Sequence, residues 1–153
     1  MRLGYRGVPM AIPTAEQLND VLLGFDRLYG LRLVEVSEHE VRAEVEVRDE
    51  LRQPAGLVHG GVYASMAEAM ASLATGITVF AATGSTAVGL SNSTSFLRPM
   101  TSDVIHGHAV RLHRGRTTWV WDVRFSDDAG RLCAITRMTI AVRPPASQPA
   151  GGG

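Results

Sequence analysis

Across residues 60–97 the chain carries a single charged side chain, Glu68, and this run constrains the fold more than any other feature. It is long enough to raise the question of a membrane span. Its composition argues against one: Gly60, Gly61, Ser65, Glu68, Ser72, Thr75, Gly76 and Thr78 interrupt the apolar residues, and residues 83–95 are largely Gly, Ser, Thr and Asn. A helix over residues 60–80, stopped near Gly84 and followed by a strand, explains the run better. Such a helix is apolar on almost every face, so the rest of the chain is expected to wrap around it.

The flanking segments supply the wrapping. Thr14 and Gln17 form a capping box, and Leu18, Val21, Leu22, Phe25 and Leu28 follow at helical spacing toward a stop at Gly30, which predicts one amphipathic helix. From Leu31 the period becomes two, with Val41, Ala43, Val45 and Val47 alternating against Arg42, Glu44, Glu46 and Arg48, so two half-buried strands are expected, joined near residues 37–39. Pro54 and Gly56 make residues 49–58 a loop. Beyond the long helix, strands are predicted over 85–97, 103–113, 117–126 and 131–142, with four consecutive antiparallel strands as the simplest arrangement. The fold class is therefore α+β: one antiparallel sheet wrapped around a long central helix, with an open edge that invites a second copy.

At 153 residues and 45% apolar composition the chain fits one domain, taken as residues 14–143, with a loose arm over 1–13 and a disordered tail over 144–153. Fifteen Lys plus Arg balance fifteen Asp plus Glu, which removes the electrostatic case for nucleic acid or an anionic membrane. The lone Cys133 cannot form an intrachain disulfide, and no Cys/His spacing suggests a zinc site, so a reducing compartment and no metal are expected. Gly and Pro break the N-terminus before any signal-peptide-length apolar stretch, and a cytoplasmic protein is inferred.

Chemistry points first to Glu68. A carboxylate in the middle of a buried helix costs several kcal/mol unless it is paired, protonated or used; the bland alternative is a helix that turns one narrow face to solvent. Ser72 lies one turn further on the same face and can orient the acid or an attacking water, although helical Ser commonly bonds its own backbone. His59, Gly60 and Gly61 fall where loop becomes helix. Open N–H groups and the helix dipole there favour an incoming carbonyl oxygen, as in an oxyanion hole; packing alone also accounts for a glycine pair, and capping for His59.

The pattern Gln53-Pro54, Gly56-Leu57-Val58-His59-Gly60-Gly61, Ala67-Glu68 and Ser72 resembles the hotdog-fold acyl-CoA thioesterases, in particular the Glu-bearing group that includes phenylacetate-degradation and 4-hydroxybenzoyl-CoA types. The resemblance spans roughly residues 15–142. It implies that the Gly60 amide holds the thioester carbonyl oxygen, that Gln53 and His59 polarise or position the thioester, that Glu68 is nucleophile or general base, and that Ser72 assists. Coenzyme A would be part of the substrate, with no separate cofactor. A dimer sharing its sites between subunits, often doubled to a tetramer, is also implied.

For the CoA moiety, Gly61, Arg98, Arg111, His113, Arg114 and Arg116 are the candidates, although cations at a hairpin are usually a solvated surface. This chain reads Ser95-Phe96-Leu97-Arg98-Pro99 where close relatives have Asn-His-Leu-Arg-Pro, which unsettles the detailed transfer of contacts. Tyr63, Met66, Met70, Phe80 and Phe96 suit either an acyl pocket or ordinary core. Two rivals share the fold: a dehydratase or hydratase, which needs its His as a base, and a non-catalytic acyl-CoA sensing domain, which has no use for a buried Glu68.

Overall fold

The computed structural model describes residues 12–101 and 103–145. The expected arm over 1–13 and tail over 144–153 lie outside the described residues, apart from residues 12, 13, 144 and 145.

The Thr14 capping box is present: Gln17 N–H donates to Thr14 Oγ1 at 3.3 Å and Thr14 N–H to Gln17 Oε1 at 2.9 Å. The single expected helix is instead two, α1 (Ala15–Val21) and α2 (Gly24–Leu28). The chain is extended at Leu22 and Leu23 and then takes φ +63° at Gly24, a left-handed conformation that Gly adopts without steric cost. The break lets Leu18 turn into the core while Val21, Leu23, Phe25 and Leu28 stay exposed.

The strands are β1 (Arg32–Val36), β2 (Glu40–Glu46), β3 (Thr86–Phe96), β4 (Val104–Arg114), β5 (Thr118–Ser126) and β6 (Leu132–Arg143). They form one antiparallel sheet in the order β1-β2-β4-β5-β6-β3. The expected run of four consecutive strands is therefore wrong in one place: β3 pairs with β6, not β4. The reason is the helix between β2 and β3. It crosses the sheet and delivers the chain to the far edge, so β4 returns to pair with β2 and the β4-β5-β6 meander fills the gap.

That helix, α3 (Gly60–Thr83), begins at His59 and ends at Gly84 with φ +69°, whose N–H donates to Phe80 O. By length and composition it could span a membrane, but its inner side packs on the sheet. Val62, Met66, Met70, Ala74 and their neighbours meet Ile105, Trp121, Phe125 and Met138 in one core. Trp121 Nε1 donates to Thr75 Oγ1 at 3.0 Å, tying helix to sheet through a fully buried pair. At Gly107 a Cβ would stand 3.0 Å from Met70 Sδ, so a strand backbone bears directly on the helix there.

The helix is not wrapped on all sides, contrary to the reading from its composition. One sheet covers one side of a helix; the opposite side, with Gly61 and Glu68, is exposed, and Ser65 and Ser72 along it are partly so. The bland reading of Glu68 holds within one chain. Beside this face β3 is an edge strand, with Val88 and Leu90 uncovered.

Candidate active site

The start of α3 is set by His59. Its Nδ1 accepts the Gly61 N–H at 2.9 Å, and a Cβ at Gly61 would come within 2.8 Å of that nitrogen. The cap thus explains the second glycine. It also uses the Gly61 amide, so Gly60, at the first helical position where no intrahelical acceptor exists, keeps the N–H suited to an incoming oxygen. A ring nitrogen that accepts a hydrogen bond carries no proton, which places the His59 proton on Nε2 as a donor. The Gly60 position has its own steric reason: a Cβ would lie 2.6 Å from the Phe96 ring.

Gln53 sits in the loop closed by the Arg52–Val58 bridge. Its Oε1 accepts the Ala55 N–H at 2.7 Å and its own N–H donates to Leu57 O at 2.8 Å. The side-chain amide therefore turns its oxygen into the loop, and its NH2 end is the donor left for a substrate. The same loop is anchored to the helix start, because His59 N–H donates to Leu51 O at 2.8 Å.

Glu68 and Ser72 lie along the open face of α3, lining a cavity of about 270 Å³ with Phe25, Asp26, Ser65 and Ala69. Glu68 leans against the edge strand, where a Cβ at Gly89 would be 3.3 Å from its Oε1. Nearby, Asn92 Nδ2 donates to Ala64 O at 2.9 Å and clamps β3 to the helix. Ser72 differs from the other helix hydroxyls. Ser65, Thr78 and Thr83 each donate to the carbonyl four residues back, whereas Ser72 Oγ is buried with no hydrogen-bond partner among the described residues. A buried hydroxyl left unpaired costs about 1–3 kcal/mol, so its position suits an added partner such as a water or a substrate atom. Above the cavity, Tyr29 donates to Asp26 Oδ1 at 3.1 Å. Burial, followed by the nearby Asp26 and Glu68 carboxylates, raises its phenol well above the ordinary tyrosine range.

A second cleft, of about 630 Å³, opens at the helix start between Phe25, Leu28 and Tyr29 on one side and His59, Gly61, Val62 and Ser65 on the other. It shares Phe25 and Ser65 with the Glu68 cavity, so the two adjoin along the open face. Sequence reasoning missed this wall, because Phe25 and Leu28 read as the buried stripe of a helix. The pocket residues it suggested fall elsewhere. Tyr63, Met66 and Met70 are buried core, with Tyr63 pushed up to about 12 chiefly by burial, and Phe80 is exposed near the far end of α3. Phe96 alone lies at the glycine pair.

The cations expected to hold CoA divide into two groups. Arg98 follows β3 close to Phe96, its N–H donating to Cys133 O at 3.1 Å, and so lies at the glycine end. Arg111 and Arg114 stack on Trp119, at 4.7 and 5.1 Å from its ring centre, and both bond Glu38, Arg111 through the backbone carbonyl and Arg114 through the carboxylate. Arg114 and Arg116 line a cleft with Val79 and Thr83, at the C-terminal end of α3, and His113 lies on the same hairpin. The helix has 24 residues, and its two ends are about 35 Å apart at 1.5 Å per residue. Within one chain, Gly60 and the Arg111–Arg116 hairpin are not brought together. Among the described residues no cluster of His, Cys, Asp and Glu could hold a metal ion.

One antiparallel sheet packed against one long central helix is the frame of the hotdog thioesterases. The chain belongs to the thioesterase superfamily, which it matches over residues 55–134. It is 39% identical over 120 residues to a Mycobacterium tuberculosis protein named as an esterase, covering 75% of this chain and 83% of that one. It is 31% identical over 130 residues to the proofreading thioesterase EntH of Cronobacter turicensis, covering 84% and 93%. The crystal structure of a mutant thioesterase from Pseudomonas aeruginosa superposes with a TM-score of 0.82 at 34% identity, covering 88% of this chain and 96% of that one.

Proposed function

We propose that the protein hydrolyses an acyl- or aryl-coenzyme A thioester to the free acid and CoA, in the cytoplasm, with Glu68 as the residue that drives the chemistry. The observation that carries this reading is the unpaired, buried Ser72 hydroxyl one turn from Glu68 on the open face of α3. A water or the acid itself would complete it. Glu68 either draws a proton from that water, whose oxygen attacks the thioester carbon, or attacks the carbon itself to form an acyl-enzyme anhydride that water then hydrolyses. In both routes the C–S bond breaks and the thiolate leaves without needing a strong general acid. The Gly60 N–H would receive the developing oxyanion, with the Gln53 NH2 and His59 Nε2–H as further donors.

One chain cannot assemble this site. Gly60 and Glu68 are eight residues apart on α3, a rise of about 12 Å, and Glu68 leans toward Gly89 while Gly60 faces Phe96. A single carbonyl needs its donor and its attacking group each about 3 Å away. Two copies placed edge to edge along β3, with their open helix faces together, would bring Gly60 of one to Glu68 of the other. A dimer is the proposed working unit, with a dimer of dimers as its larger assembly.

The sensing-domain alternative is no longer opposed by burial of Glu68, which is exposed in the chain; it is opposed by membership in a family of thioester hydrolases. The hydratase alternative needs His59 as a base, but its Nδ1 lone pair is engaged by Gly61 and its Nε2 carries the proton. A Listeria monocytogenes relative, 28% identical over 121 residues, is named 1,4-dihydroxy-2-naphthoyl-CoA hydrolase, which favours an aryl substrate here.

The test is thiol release from a panel of acyl- and aryl-CoA esters by wild type and Glu68→Gln. The reading expects turnover by wild type and a fall of about 10²–10⁴-fold in the variant. Equal turnover in both would remove Glu68 from the chemistry.

A further inference from the structure

Helix α2 forms the apolar wall of the large cleft, yet none of its five residues is buried. Within one chain Phe25 and Leu28 are 62% and 70% exposed, so their own packing there does little to hold the wall in place. What holds it comes from outside the helix. Arg48, just beyond β2, donates from Nη1 to Tyr29 O at 3.1 Å and from Nη2 to Leu28 O. These are carbonyls at the C-terminal end of α2, where a helix has unsatisfied acceptors and favours positive charge. Glu50 Oε2 lies 3.5 Å from Arg48 Nε. The chain turns away at Gly30 with φ +84°, and a Cβ there would stand 2.9 Å from Arg48 Nη1. The turn is thus shaped to admit the guanidinium. A second tie is the Tyr29 ring, buried beside Phe25 at 5.2 Å between centroids.

We infer that Arg48 is a positioning residue that fixes α2 as the wall of the acyl cleft and so sets which acyl groups the enzyme accepts. This rests on the thioesterase reading. An acyl group whose carbonyl sits at the Gly60 amide has the cleft immediately beside it, since His59, Gly61 and Val62 are part of the lining. A short acyl group ends before it reaches Phe25 and Leu28. A longer chain or an aromatic ring lies against them and depends on their staying in place. Arg48 itself lines the cleft beside the wall it holds and lies outside the Glu68 cavity, so its effect belongs in binding of the acyl tail. It should scale with how much of the wall the tail covers, because each added methylene in an apolar pocket contributes discrimination of its own.

The experiment is thiol release from acetyl-, butanoyl-, hexanoyl-, octanoyl- and benzoyl-CoA by wild type, Arg48→Lys and Arg48→Met, together with hydrogen exchange of the α2 amides. Arg48→Met keeps the stem and removes every donor; Arg48→Lys keeps the charge but not the paired geometry. The expected result is a loss in kcat/KM that grows along the series, reaching about tenfold or more for the octanoyl and benzoyl esters in Arg48→Met. The loss should lie in KM more than kcat, with Arg48→Lys between the two and faster exchange confined to α2. A loss of equal size for every ester, or none, would overturn the inference while leaving the thioesterase reading intact. If wild type releases thiol from no ester of the series, both fall together.

Discussion

The two faces of α3 are built from the same small vocabulary and serve opposite ends. The inner face, with Met66, Ala67, Met70, Ala71 and Ala74, is sealed against the sheet. Its deepest polar side chain, Thr75, is matched by the Trp121 indole. The outer face, with Gly61, Ser65, Glu68 and Ser72, has little to seal it and leaves one buried hydroxyl unmatched. Satisfied polar groups and close packing make the first face a source of stability. The second keeps unsatisfied groups, and such groups persist where a substrate or a partner completes them.

Substitutions can break this comparison. The largest expected effect is Glu68→Gln, which should remove turnover yet leave thermal unfolding close to wild type, because the side chain is exposed. A large drop in melting temperature would mean that Glu68 has a structural task. Next, Met70→Ala on the inner face should cost about 2–5 kcal/mol of stability in denaturant titration, with kcat little changed below the transition. The smallest effect expected is from Ser72→Ala. Turnover should fall by about tenfold, as for an assisting group, while stability stays level or rises, since a buried unpaired hydroxyl is removed. A stability loss from Ser72→Ala would reveal a hidden partner and undo the contrast.

Much of this was legible in the sequence, and the exceptions have physical causes. The long helix, its start at the glycine pair, the Thr14 capping box and the period-two strands follow from local chemistry that the fold leaves in place. The pairing of β3 with β6 does not, because strand order depends on where a crossover helix delivers the chain, and that is a property of the whole sheet. The split at Gly24 was hidden by an apolar stripe that continues through it. Phe25 and Leu28 fit a buried face, yet the structure exposes them as one wall of a cleft. The apolar neighbours of Glu68 predict a buried helix, but composition cannot say whether the cover comes from the chain's own sheet or from a second copy. The residues at the two ends of α3 show the same limit. Spacing in sequence groups Arg111, His113, Arg114 and Arg116 convincingly, but it cannot place that group relative to Gly60.

The central claim is that the amide end and the carboxylate end of each working site come from different copies. It is tested most directly by mixing two variants, Gln53→Ala impaired at the amide end and Glu68→Gln at the carboxylate end, after unfolding and refolding them together. If sites are shared, random pairing gives mixed dimers with one intact site each, and thiol release should recover to about a quarter of the wild-type rate, as expected for an isologous two-fold assembly. A mixture no more active than the average of its two components would place both ends of the site in one chain and contradict the account.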